Sequence, residues 1–268
     1  MKRTVSFIAA LDIAFVGLLV MSSIASGIAS DILYYSAFSV PILLGLWAIR
    51  YKGGEVLSRP SSVSESAKFS LPLIFPTIAA VSLIAFLTSS LLNLVGYENT
   101  VSFPDPFPIA VLTRAVLPAV LEEILFRFIP IRLLKAEGAD AKFSILFTAL
   151  AFSLGHTNLF QIPYAAFAGA VFALLFIATG SIIPTVIAHL LNNLISLITI
   201  YYDFDLWVYI SIAVLAAVSL IVIVLRRYVY KERIKELFSR ELDFTLTRAA
   251  AVYMAICLTL SILTLKTR

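Results

Sequence analysis

The chain holds only two histidines, His156 and His189, and both lie in strongly apolar stretches. His156 closes the segment Phe152–Ser–Leu–Gly–His156, and His189 opens His189–Leu–Leu–Asn192–Asn193. A third apolar stretch carries Glu122, Glu123 and Arg127. An ionisable side chain in hydrocarbon costs about 2.5–3.5 kcal/mol on insertion scales, so such groups are functional candidates by default. Helical spacing sorts them. Glu123 and Arg127 stand four residues apart, share a face and can pair, each offsetting the other's desolvation. Glu122 is turned about 100° away and is left without that partner. Phe152 falls on the His156 face and lines the wall beside the imidazole, while His189 and Asn193 present two hydrogen-bonding heads to one cavity. Asn192 is expected to point elsewhere, as an amide bridging helices. Asp12, a carboxylate with no local partner, reads as structural.

A glutamate and an imidazole can hold and deprotonate a water, while a second imidazole and an amide donate to a developing oxyanion. That set suits hydrolysis of an amide bond with water as the nucleophile. Glu122, His156 and His189 could instead ligate zinc and supply a metal-bound water. The usual H-E-x-x-H spacing is missing, because Thr157 follows His156 and Leu190 follows His189. No G-x-S-x-G elbow offers a serine nucleophile. The metal-free reading is preferred, so no cofactor is expected, with zinc as the alternative.

Such side chains need a scaffold that separates lipid from water. The chain has 268 residues, of which 61% are hydrophobic and 13% charged, with a mean hydropathy of +1.01; soluble domains carry about 25% charged residues. Apolar runs long enough to cross a core roughly 30 Å thick recur along it. They predict an all-α, polytopic transmembrane bundle of about eight or nine helices, near Val5–Ser26, Leu33–Ile49, Leu71–Leu94, Ile109–Leu134, Phe143–Leu159, Ile162–Ala178, Ile182–Tyr201, Leu206–Leu225 and Leu246–Leu265. The chain reads as one integral membrane domain over 1–268, with the motif-bearing core at about 109–201. The lone Cys257 excludes an internal disulfide and argues against a multi-cysteine metal site.

A net charge of +4 and a pI near 9.2 would hint at nucleic acid in a soluble protein. Here the basic residues flank the spans, and the positive-inside rule accounts for them without that partner. With a cytoplasmic N-terminus, one side collects Lys2, Arg3, Arg50, Lys52, Arg59, Lys68, Arg132, Lys135, Lys142 and the basic residues of 226–240. The other collects Asp31, Glu98, Asp105, Asp203 and Asp205. Lys266 and Arg268 are discordant: either the last helix is interfacial or the short tail crosses. Arg226–Asp243 reads equally well as a basic amphipathic helix on headgroups and as an extension of the eighth span. A multi-pass protein of the cell membrane with its N-terminus inside is expected. At about 1.5 Å per residue, Glu122, His156 and His189 lie roughly 10–20 Å from the cytoplasmic ends of their spans, which suggests a shared cavity facing the cytoplasm.

In this order the motifs resemble the CAAX protease and bacteriocin-processing family of intramembrane endopeptidases, also called the Abi or type II CAAX prenyl endopeptidase family. Its E-E-x-x-x-R motif matches Glu122, Glu123 and Arg127; F-x-x-x-H matches Phe152 and His156; H-x-x-x-N matches His189 and Asn193. The likeness covers roughly Arg114 to Ser196. It implies that Glu122 and His156 activate the water, that His189 and Asn193 support the oxyanion, and that the substrate is a peptide or a prenylated protein met among membrane lipids. Eukaryotic members remove the last three residues after a prenylated cysteine, and other members serve bacteriocin maturation or self-immunity. Two readings from other classes use the same residues. One is a proton- or ion-coupled transporter with Glu122, His156 and His189 as a relay, and the other a non-catalytic immunity protein of the same fold.

Overall fold

The computed structural model describes residues 1–51, 62–98, 105–202, 205–239, 247–263 and 265–267. Of the residues used to infer orientation, Lys52, Arg59, Asp203, Arg240 and Arg268 lie outside the described residues. The described residues form an all-α polytopic bundle of ten helices: α1 (Lys2–Ile24), α2 (Ile28–Tyr51), α3 (Val63–Leu94), α4 (107–136), α5 (Ala141–Gly155), α6 (Ile162–Thr179), α7 (Ile183–Tyr202), α8 (Asp205–Leu225), α9 (Arg227–Leu237) and α10 (Arg248–Leu263). By length and composition α1, α2, α3, α6 and α7 are able to cross a membrane, while α5 and α10 are shorter apolar helices. Large apolar side chains such as Leu43, Trp47 and Val218 remain exposed on the outside of the bundle, as helices facing lipid require.

Local chemistry sets the helix ends. Ser62 and Glu65 form a capping box that opens α3, satisfying two orphan amide donors. The Asp140 carboxylate accepts from the Phe143 amide at 2.9 Å and starts α5. Gly180, at φ +69°, ends α6 in the left-handed region that glycine enters without strain. The long helix α4 is wound as π-helix over Val111–Val116 and Ile124–Phe128. Each wide stretch lies just ahead of a proline, Pro118 or Pro130, whose ring clashes with the carbonyl four residues back and lacks a donor. Widening the turn accommodates the ring, and π-bulges of this kind recur at functional sites.

Helix α9 settles an open alternative. α8 and α9 bend by 78° at Arg226, so Arg227–Leu237 is a separate helix across one end of the bundle and not an extension of the eighth span. Tyr230 donates its hydroxyl to the Phe69 carbonyl at 2.9 Å, and the Arg233 Nε donates to the Ala178 carbonyl at 3.2 Å. α9 is thereby tied to the start of α3 and the end of α6. At the same end the Met1 ammonium meets Glu137 at 2.9 Å. At the opposite end the Tyr201 hydroxyl donates to the Asp105 carbonyl at 2.7 Å, tying the end of α7 to the start of α4. A two-stranded antiparallel ladder completes that end, with β1 (Tyr97–Glu98) paired to β2 (Lys266–Thr267). The C-terminal tail therefore lies where α3 finishes. Of the two explanations for Lys266, the tail reaching the far end is the one the pairing supports.

Candidate active site

Three helices deliver the sequence motifs to one place. Glu123, on α4, is wholly buried, and its Oε1 accepts two hydrogen bonds: 3.0 Å from Arg127 Nη1 and 2.9 Å from His189 Nδ1. A carboxylate only accepts, so Nδ1 of His189 is the protonated ring nitrogen and Nε2 is left facing Glu122, whose Oε2 lies 3.7 Å away. The His189 ring is held on both sides, edge-on to Phe152 at 5.7 Å and tilted over Phe172 at 5.4 Å. Arg127 runs beneath, with its Cζ 3.8 Å from the Phe152 ring centre and 5.7 Å from that of Phe172. A guanidinium removed from water gains here from the aromatic faces as well as from its carboxylate. Among the described residues its Nε and Nη2 have no hydrogen-bond partner. Gly169 on α6 permits this packing, since a Cβ there would lie 3.0 Å from Arg127 Nη2 and 3.1 Å from the Ala149 Cα.

His156 sits at the very end of α5. Its Nδ1 lies 2.9 Å from the Phe152 carbonyl; a carbonyl only accepts, so Nδ1 donates and the neutral ring carries its lone pair on Nε2. At about 1.5 Å per residue α5 is roughly 22 Å long, too short for a full crossing, so its end lies recessed within the bundle. The chain reverses through Thr157, a non-glycine residue at φ +48°. Backbone in this sparsely populated region gathers at functional sites. Asn158 stabilises the turn by accepting from the Phe160 amide at 2.9 Å.

Glu122 and His156 line two adjoining hollows. The larger, about 650 Å³, is bounded by α3, α4, α6 and α7 and is also lined by His189, Asn192 and Asn193. The smaller, about 170 Å³, is walled by Phe15, Phe38 and Phe126 with Tyr34 and Thr157. All four proposed catalytic residues thus border one space, while Glu123, Arg127 and Phe152 stand behind or beside them. Asn192 differs from expectation. Its Nδ2 lies 3.4 Å from Asn193 Oδ1 and it borders the same hollow, because the space is wide enough to be shared by consecutive residues of α7. Asp12 is buried, and among the described residues neither of its oxygens has a hydrogen-bond partner.

Sequence reasoning missed Tyr34, Gln161, Tyr164 and Phe172. The first three are polar groups in or beside apolar stretches and could have been flagged by that rule; Phe172 carries no local signal. The sequence also suggested a cytoplasmic N-terminus together with a cytoplasm-facing cavity, and these two do not fit one structure. The larger hollow is lined by Ser89 near the end of α3, Arg114 near the start of α4, Gln161 before α6, and Thr199 near the end of α7. These residues all belong to the end opposite Met1. Counting residues from helix ends gave depth but not direction, since either end of a span is reachable from a buried site.

Among the described residues no group of three or more His, Cys, Asp or Glu is placed to hold a metal ion. Each imidazole commits Nδ1 to an oxygen, His156 to the Phe152 carbonyl and His189 to Glu123, and keeps Nε2 available for chemistry.

Fold and site define a membrane-embedded helical protein with a glutamate–histidine–asparagine centre beside an internal hollow. Residues 104–195, which carry every motif residue, match the family model of the type II CAAX prenyl endopeptidases, Rce1-like. Over that segment the chain is similar to the CAAX protease family. No curated protein and no solved structure matches the chain.

Proposed function

We propose that the protein is an intramembrane endopeptidase of the CAAX type that hydrolyses a peptide bond with a water activated by Glu122 and His156. The observation that carries this reading is the division of labour between adjacent glutamates. Glu123 is locked in a dry network that orients His189, while Glu122, its side chain 17% exposed, faces the hollow with His156. Glu122 takes the proton of the attacking water, and the Nε2 of His156 relays it to the leaving amine as the C–N bond breaks. Asn193, together with His189 once its Nε2 carries a proton, donates to the oxyanion of the tetrahedral intermediate. Glu123 keeps the His189 ring in one orientation, the positioning role a carboxylate plays on the far side of a catalytic imidazole. No step passes through a metal. The protein acts as a multi-pass component of the cell membrane, with its N-terminus in the cytoplasm.

Prenylated CAAX-type peptides are the substrate class to try first. Purified protein is incubated with them, comparing wild type with Glu122→Ala and His156→Ala, with and without a strong chelator. Cleavage by wild type alone, unaffected by chelator, is the expected result. Equal cleavage by all three would remove these residues from the mechanism, and inhibition reversed only by zinc would replace the metal-free step.

A further inference from the structure

The two ends of the bundle differ in charge as sharply as in shape. Lys2 and Arg3 start α1, Arg50 ends α2, and α9 carries Arg227, Lys231, Arg233 and Lys235, all at the end where Met1 meets Glu137. The other end bears Asp31, Glu98 and Asp105 among its described residues, with two basic residues, Arg114, which lies 3.9 Å from Asp105, and Lys266 of β2. Lys and Arg beside short loops are retained on the cytoplasmic side. The basic end is then the inner one.

The hollow runs the other way. Its wall descends α7 from Ile200 and Thr199 through Asn193 to His189, and the rise from His189 to Tyr202 is roughly 20 Å at about 1.5 Å per residue. Beyond His189, towards the basic end, the space is filled. Thr185 and Glu123 are fully buried there, and Ile131, Phe176 and Ile177 form a closed apolar cluster. The site is therefore reached from the acidic end and sealed at the basic end.

Resting on the endopeptidase reading, we infer that the active site opens to the extracytoplasmic face, and that its substrates are peptide segments presented from that side, such as the ends of exported or membrane-anchored chains. A soluble cytoplasmic protein end meets α9 and the apolar plug, not Glu122.

Cysteine labelling in intact cells tests this. The native Cys257 is buried, so the wild-type protein is the blank. Ser89→Cys and Thr199→Cys place a thiol in the wall of the hollow, Lys235→Cys places one on α9, and Glu98→Cys marks the surface of the acidic end should a cavity variant fold poorly. A membrane-impermeant maleimide is expected to label the first two and Glu98→Cys in intact cells to the level reached after permeabilisation. Lys235→Cys is expected to react only after permeabilisation. The reversed pattern, with α9 labelled in intact cells and the acidic-end thiols only after permeabilisation, overturns the inference. Peptide cleavage by purified protein in detergent has no sides. An inactive enzyme with the expected labelling, and an active enzyme with reversed labelling, are therefore separate failures.

Discussion

Glu122 and Glu123 are neighbours on one helix and share a chemical type, yet they live in different solvents. Glu123 is enclosed with Arg127, His189 and two phenylalanine rings, its Oε1 accepting two donors. Glu122 borders both hollows and has only a 3.7 Å approach to His189. A rotation of about 100° along the helix is enough to hand one carboxylate to structure and the other to chemistry. The dry region gives rigidity because every charge in it has a counter-charge or an aromatic face. The hollow-facing region keeps polar heads available for a water and a substrate.

The largest separation of the two regions is expected at Glu122. Glu122→Gln keeps shape and polarity but removes the base, and kcat for peptide cleavage should fall by about 10²- to 10⁴-fold. Because its approach to the buried His189 is 3.7 Å, outside hydrogen-bond distance, the thermal unfolding midpoint should barely move, as for substitutions within about 0.5 kcal/mol of wild type. A large loss of stability in Glu122→Gln would erase the distinction between the two carboxylates.

Glu123→Ala should do the reverse. It strands the Arg127 guanidinium in a dry space and frees His189, and removing one partner of a buried pair costs about 3–5 kcal/mol. Denaturation in detergent measures that loss. The comparison sharpens with Glu123→Ala combined with Arg127→Met, which removes the stranded charge and should recover a large part of the stability but not the activity, since His189 still lacks its orienting acceptor. Recovery of both would mean that Glu123 serves only to neutralise Arg127.

Asn193→Ala removes one oxyanion donor from the hollow side. Losing such a donor lowers kcat by about 10²- to 10³-fold, with little change in KM or stability, read from initial rates across substrate concentration. Asn192→Ala is the internal control: both amides border the hollow, and only the one aimed at the oxyanion should show this split.

How far the sequence foretold this follows from what each signal can carry. The helices were legible because apolar runs set against roughly 30 Å of hydrocarbon leave few alternatives. The Glu123–Arg127 pair was legible because a four-residue spacing fixes it within one helix. The 2.9 Å contact between His189 and Glu123 was not, because it joins helices whose rotation is set by distant packing. The bend at Arg226 stayed open between two readings and the recessed end of α5 was missed; both depend on where a helix stops, and hydropathy blurs that by several residues. Asn192 was misplaced by treating a helix face as a line when the hollow is broad enough for adjacent side chains.

Gly169 offers the smallest effect and the finest probe of the dry region. It has no polar atom in its side chain and sits behind the site, so only packing connects it to chemistry. A methyl group added there meets Arg127 Nη2 at 3.0 Å, Ala149 Cα at 3.1 Å and Phe152 Cδ1 at 3.2 Å. The Ala149 atom is backbone and cannot swing aside, so α6 must move off α5 or the guanidinium must leave the Phe152 face. Overpacking of this kind costs about 1–3 kcal/mol. Gly17→Ala on α1, where a Cβ meets nothing within 4 Å, should cost nothing in the same assay. If the dry region acts as a rigid cradle for His189, Gly169→Ala should lower kcat along with stability, because the displaced Phe152 and Arg127 both bear on the pair that orients the imidazole. Loss of stability with kcat intact would show that the cradle tolerates movement, and that His189 is held by Glu123 alone.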